Sequence, residues 1–168
     1  LRGCYEYDLE AAHQNILIQL HDRKKIDFPE LNVLREYVAN KQRTREQLET
    51  DLNTHIDTVK EILQALTYGA QLTSNKRQKI YEACEGDEEL IDRVINNPLL
   101  MKFAGTFKIA REHLVGDNKV ITNAVGIKRE PETKAKAMAH ILQGYERLIL
   151  DVLIANSEPN DVALLVHD

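Results

Sequence analysis

The chain has 168 residues, of which 43% are apolar and 29% charged, with a net charge of −5. That length supports one domain with a real core or two small subdomains, and the composition excludes a disordered or fibrous chain. The acidic balance argues against a simple nucleic-acid-coating protein. The two cysteines, Cys4 and Cys84, lack the spacing of a disulfide framework or a zinc site and fit a reducing compartment. No apolar run approaches membrane-spanning length, and no signal peptide is visible.

Residues 3–8 predict a strand, with Tyr5 and Tyr7 on one face and Cys4, Glu6 and Asp8 on the other. From Leu9 to about His21 the period becomes helical, with Ala12, Ile16 and Leu20 on one face. After Asp27-Phe28-Pro29, residues Leu31, Leu34, Tyr37 and Val38 predict a second helix. Thr44 with Gln47 predicts a capping box that starts a short helix through Leu52. Thr54 or Asp57 starts a strong helix that stops at Gly69. Residues 74–96 read as polar helix broken at Gly86-Asp87.

Pro98 opens a segment from Leu99 to Leu114, and Gly116-Asp117-Asn118 is a turn. Val120 to Ile127 reads as a short strand and loop. Pro131 suits the first turn of a long helix from about Glu132 to Ala155. A last apolar run, Val162 to Val166, reads as a buried strand ending in His167 and Asp168. The order is strand, many helices, strand, and the terminal strands predict the paired floor of a site. A chain ending on such a strand also reads as a segment of something longer.

A carboxylate at the end of an apolar strand needs a partner, because burying an unpaired charge is costly. Asp8 and Asp168 both stand there, and together they suggest a divalent metal site. Each is also an ordinary turn residue. Metals spaced about 3.5–4 Å apart require the two carboxylates to lie within about 10 Å of each other.

Three further features point to nucleotides. In the helix before Gly69, Lys60, Gln64 and Tyr68 follow one another at i, i+4 on the polar face. A lysine meets phosphate as a point charge, and an aromatic ring stacks on a base. The stripe is equally a solvated face. Gly144, after Gln143 in the long helix, costs about 1 kcal/mol relative to alanine and marks close approach of a backbone or ligand. Lys119, Lys128, Arg129, Lys134 and Lys136 give residues 101–136 a local basic excess, consistent with a phosphate-backbone track or with ordinary surface.

In order, these pieces resemble the palm and fingers of family A DNA polymerases and the related single-subunit phage-type RNA polymerases. Asp8-Leu-Glu-Ala-Ala-His13-Gln-Asn-Ile16-Leu17 resembles motif A, DYSQIELRIL in the DNA enzymes. Lys60 to Gly69 resembles motif B, KxxxFxxxYG. Leu142-Gln143-Gly144 resembles the LQG of a long palm helix, and Leu165-Val166-His167-Asp168 resembles motif C, QVHDE. The resemblance spans the whole chain.

The resemblance implies an α+β, predominantly helical fold, with a small antiparallel palm sheet carrying the active site and a helical fingers subdomain. Residues 1–22 and 101–168 would form the palm, and 23–100 the fingers. It implies a template-directed nucleotidyltransferase that extends a primer 3′ end, with DNA synthesis favoured over RNA synthesis. A phage-type RNA polymerase, a primase-polymerase and a non-catalytic helical module are the alternatives. Asp8, Asp168 and the Leu9 carbonyl would hold two magnesium ions. Lys60 would neutralise the triphosphate, and Tyr68 would pack at the nascent base pair. Gln143 and His167, with Lys128 and Arg129, would touch the primer-template. Nucleoside triphosphates, DNA and the rest of a parent polymerase are the implied partners, in the cytoplasm of a bacterial or phage-infected cell.

The departures are specific. His13 stands where the DNA enzymes carry the glutamate that blocks a ribose 2′-hydroxyl. Gln64 replaces the aromatic midway along motif B. Ile56 stands where an arginine is usual, leaving His55 or Lys76 to meet phosphate. The carboxylate expected after Asp168 lies beyond the end of the chain.

Overall fold

A computed structural model describes residues 11–156, which form eight helices and one short hairpin. The predominantly helical class agrees with the sequence reading. The terminal strands expected at 3–8 and 162–166 lie outside the described residues, as do Asp8, Leu9, His167 and Asp168.

The helices are α1 (Ala12–Lys24), α2 (Leu31–Ala39), α3 (Lys41–Leu52), α4 (Ile56–Thr67), α5 (Lys79–Ala83), α6 (Glu88–Asn96), α7 (Pro98–Val115) and α8 (Lys134–Ala155). Strands β1 (Ile121–Thr122) and β2 (Lys128–Arg129) pair antiparallel between α7 and α8, with Ile121 opposite Arg129. The core is continuous from Ile16 to Leu142, across positions 22 and 100, which fall inside α1 and α7.

Helix α7 is the centre. Its N-cap Asn97 accepts from the amides of Leu99 and Leu100 and Pro98 follows, so the start is fixed twice over. It buries Leu100, Phe103, Phe107, Ala110, Leu114 and Val115. Against it pack α2, α4, α6 and α8, and α1 lies between α2 and α8. A buried Phe contributes roughly 1.5–3 kcal/mol, so Phe103 and Phe107, both 1% exposed, anchor the assembly.

Local chemistry moved several boundaries. Thr44 does not cap a helix: α3 begins at Lys41, Asn40 alone separates it from α2, and Thr44 lies inside it. The apolar positions Leu48 and Leu52 set that helix, and burial outweighs a surface capping box. Residues 71–78 are not helical. The Asn75 side chain accepts from the Arg77 amide, a local turn that competes with helix. Pro131 lies outside α8, whose N-cap is Thr133, with its hydroxyl accepting from the Lys136 amide at 3.1 Å. The breaks at Gly69 and Gly86 stand where the sequence put them, both with positive φ.

His21 is fully buried among Phe28 and His113, with ring centroids 5.3 and 5.8 Å away. Its Nδ1 donates to the Leu17 carbonyl at 2.8 Å, so the proton is on that nitrogen. The Nε2 is buried with no hydrogen-bond partner among the described residues. Burial, aided by nearby His113 and Lys24, pushes the pKa of His21 below 6.5 despite the Leu17 bond. The unfolded chain takes this proton near pH 6.5 and the folded chain resists it. Stability from His21 is therefore full above about pH 6.5 and is lost as pH falls toward the depressed folded value. The urea midpoint should drop between pH 7.5 and 5.5, and less so in His21→Phe. Equal drops in both proteins would exclude His21 as a source of the acid sensitivity.

Candidate functional site

Helix α4 starts at His55, whose Nδ1 accepts from the Asp57 amide at 3.3 Å, and ends where Gly69 reverses the chain at φ +94°. Its buried side is Val59, Ile62, Leu63, Leu66 and Thr67. Lys60 and Gln64 are exposed on the other side, and Tyr68 is partly buried beyond them. Gly69 is required twice. Its φ is one that side chains rarely adopt, and a Cβ there would lie 2.8 Å from Ala135 Cβ and 3.0 Å from Arg111 Nη1. The turn thus seats the end of α4 against α7 and α8. The Arg111 Nη1 beneath it is buried without a hydrogen-bond partner among the described residues, and burial pulls that guanidinium's pKa down.

At this end of α4 three distant segments meet. The Gln14 amide donates to the Thr67 hydroxyl at 2.9 Å, tying α1 to α4. One residue earlier, His13 stands edge-on to Tyr68, with ring centroids 5.2 Å apart and planes at 67°. The Tyr68 hydroxyl lies 3.2 Å from His13 Nδ1 and 3.3 Å from Nε2. From α8, Glu146 places a carboxylate oxygen 3.4 Å from His13 Nε2. Burial lowers the pKa of His13, and Glu146 pulls it partly back. Burial raises that of Tyr68, and Glu146 adds to the rise. At neutral pH the imidazole and the phenol of the junction are therefore both neutral.

The other expected residues are spread around it. Lys60 pairs with Asp57 at 2.7 Å, and both are well exposed. Such a pair is worth little and gives way readily to a phosphate. Gln64 and Tyr68 line a cleft of about 420 Å³ between α4 and α5, with Glu61, Lys79, Glu82 and Ala83. Lys79 is paired with Glu82, an exposed pair of the same kind as Lys60 with Asp57. His55 caps α4, and Lys76 lies over the Tyr81 ring at 5.9 Å. Gln143 is exposed on α8, and Lys128 and Arg129 are exposed on β2. Of the basic stretch, Lys134 is tied to Glu112 and Asp117, and Lys136 to Glu132. Lys119, Lys128 and Arg129 form no ion pair among the described residues.

The hairpin that carries those residues docks on α8. His140 Nε2 donates to the Ile127 carbonyl at 2.9 Å. The Asn123 side chain accepts from the amides of Val125 and Ile127 and shapes the turn. Asn123 and Ala124 lie directly on Gly144, which answers the close approach that the glycine signalled. Glu146 escaped the sequence reading. Its signal is the spacing, one turn past Gln143 on the helix that Gly144 marked.

Among the described residues no cluster of three or more histidine, cysteine, aspartate or glutamate side chains could hold a metal ion. The proposed metal residues Asp8, Leu9 and Asp168 fall outside them. No helix among the described residues is long and apolar enough to cross a membrane. Compared with protein-family models, curated proteins and solved structures, the chain gives no match.

A Cβ at Gly144 would lie 2.5 Å from Asn123 Cβ and 2.9 Å from the Ala124 amide nitrogen. Helix propensity alone favours alanine there by about 1 kcal/mol. Overpacking costs about 1–3 kcal/mol and wins, because the obstacle includes backbone. Gly144→Ala should lower thermal stability and shift the amide resonances of Asn123 and Ala124. A stabilised variant with those resonances in place would refute the contact.

Proposed function

We propose that this chain is the nucleotidyl-transfer core of a template-directed polymerase, with palm elements at both ends and helical fingers between. One observation carries the reading. His13 of the motif A-like segment, Tyr68 of the motif B-like segment and Glu146 just past the LQG-like segment meet in one junction. The three side chains come from segments 55 and 133 positions apart in the chain, each lying in or just past one of the motif-like stretches.

In this reading His13 faces the sugar of the incoming nucleotide. A ring held on Tyr68 fills space next to the 2′-carbon, so deoxynucleotides are favoured. Tyr68 offers its ring to the new base pair while its hydroxyl holds His13. Gln64, a turn earlier on the same face, offers an amide to the base or the triphosphate. Lys60 releases Asp57 to meet the triphosphate. Lys128 and Arg129, on an exposed strand, take the backbone of the primer-template. Gln143 reaches the same duplex from α8.

The Asp8 and Asp168 carboxylates and the Leu9 carbonyl are hard oxygen donors of the kind magnesium takes, with substrate phosphates completing the shell. Two bound ions would supply activation of the primer 3′-hydroxyl and stabilisation of the leaving pyrophosphate.

The test is primer extension by the full-length protein with magnesium, run with deoxynucleotides and with ribonucleotides. Wild type should extend, deoxynucleotides should be preferred, and Asp8→Asn should lose more than about a hundredfold in rate. Full activity in Asp8→Asn would sink the assignment of Asp8 as a metal ligand, and wild type that extends no primer would favour a non-catalytic interaction module.

Duplex binding gives a separate check. Replacing Lys128 and Arg129 by alanine should weaken primer-template binding uniformly across sequences. It should also reduce the log–log salt slope by roughly one per residue removed. An unchanged slope would move the duplex track elsewhere on the surface.

A further inference from the structure

The functional reading uses His13 and Tyr68 and leaves Glu146 without a part. Glu146 is 24% exposed and His13 16% exposed, so their contact lies largely out of water. A carboxylate only accepts, so the His13 nitrogen that faces it, Nε2, carries the ring proton. The Tyr68 hydroxyl lies 3.2 Å from Nδ1 and 3.3 Å from Nε2, and with Nε2 protonated only Nδ1 can accept from it. The second nitrogen's partner decides the tautomer, and here that partner comes from another helix.

We propose that Glu146 is a positioning residue for sugar discrimination. From α8 it locks the His13 ring in one tautomer and one orientation against Tyr68, so that the ring stands as a fixed wall to a ribose 2′-hydroxyl. The inference rests on the polymerase reading above. His13 does the discriminating, and Glu146 acts through it. The wall needs this support because histidine has no fixed donor side. An imidazole free to exchange tautomers can turn its edge toward a 2′-hydroxyl and hydrogen-bond it, which would admit the wrong sugar. With Nε2–H committed to Glu146 and Nδ1 to Tyr68, neither nitrogen is available.

Charge adds a second, separable effect. Among the described residues the titratable groups facing His13 are Tyr68 from α4 and Glu146 from α8. The neighbouring tie between Gln14 and Thr67 is neutral. Protonated His13 donates from both nitrogens, so Nδ1 can no longer accept from Tyr68. The locked arrangement is therefore that of the neutral ring. The Glu146 charge favours the protonated form, and burial opposes it more strongly.

Two variants separate orientation from charge. Glu146→Gln keeps an oxygen that can accept from Nε2 and removes the charge. Glu146→Ala removes both. The measurements are the ratio of kcat/KM for deoxynucleotides over ribonucleotides in primer extension across pH 5.5–8.5, and the His13 tautomer by nitrogen-15 NMR.

In Glu146→Ala the ratio should fall about tenfold at neutral pH, the size of one lost oriented hydrogen bond. The Nε2–H tautomer should lose its dominance. In Glu146→Gln the neutral-pH ratio should stay within about twofold of wild type, and the acid limb of the profile should move to lower pH. A structural role alone would not split the variants in this way. Extension by wild type with an unchanged ratio in Glu146→Ala overturns the positioning role and leaves the polymerase standing. If Glu146→Ala does not fold, a wild-type His13 that NMR shows without a dominant Nε2–H tautomer overturns it instead. Wild-type protein that extends no primer with either sugar overturns both.

Discussion

Burial of α7 is the constraint on which the arrangement depends. Its side chains are covered on several sides, by α2 and α6 on one part and by α4 and α8 on another. Helices α4 and α8 share this one partner, and the end of α4 reaches the start of α8 where Gly69 meets Ala135. Helix α1 then packs across α8 and α2, which lays His13 between Tyr68 and Glu146. The junction is thus a by-product of hydrophobic packing that polar groups refine. The energies agree with that order: each buried aromatic of α7 contributes roughly 1.5–3 kcal/mol, and a typical hydrogen bond nets roughly 0.5–1.5 kcal/mol.

Two glycines let the helices come close enough for the refinement to happen. Gly69 seats the α4 terminus on Arg111 and Ala135, and Gly144 admits the hairpin loop onto α8. Both sit within a few residues of the groups that meet at the junction, Tyr68 before one and Glu146 after the other. The surface ion pairs contribute differently. Lys60 with Asp57, Lys136 with Glu132 and Arg147 with Asp151 are exposed and adjacent on their own helices. Pairs of this kind are worth little and fix no tertiary geometry. Polar contacts that join distant segments include Thr106 with the Glu30 carbonyl, Gln14 with Thr67, His13 with Tyr68 and Glu146, and Arg93 with the Leu52 carbonyl. The last of these gives the end of α3 the partner that a helix C-terminus lacks.

Periodicity made the helices around α4, α7 and α8 legible, because each has an apolar face with a sharp chemical stop. Gly69, Gly86 and Gly116 take positive φ values that other residues resist, so their meaning was local and readable. Thr44 and Pro131 misled for a shared reason. A cap or a first-turn proline is a preference of about a kcal/mol, and Leu48 burial or a better cap at Thr133 overrides it. The stripe of Lys60, Gln64 and Tyr68 was legible as a face, but the purpose of its end was not. Only tertiary packing shows that Tyr68 turns toward His13 while Gln64 borders a cleft with α5. Glu146 carried only its spacing from Gln143 as a mark, and was passed over for the same reason. A glutamate on an amphipathic helix looks solvated until a histidine from another helix covers it.

The net charge of −5 bears on how such a chain could hold a polyanion. Screening limits the influence of exposed charges to about 8 Å at physiological salt. The acidic excess elsewhere therefore matters less than the charge within one such length of a contact. On the stretch from α7 to α8, Glu112 and Asp117 offset Lys134, and Glu132 offsets Lys136. Lys119, Lys128 and Arg129, on or beside the hairpin, form no ion pair among the described residues, with Glu130 next to them as the nearest acidic position in sequence. The hairpin is held by the Gly144 contact and the His140 bond to Ile127, both on the helix that also carries Gln143 and Glu146. One rigid element therefore sets the spacing between a basic strand and the His13 junction. A shift of the hairpin would move the proposed duplex track relative to the proposed sugar site. The close glycine contact is the feature that holds that distance.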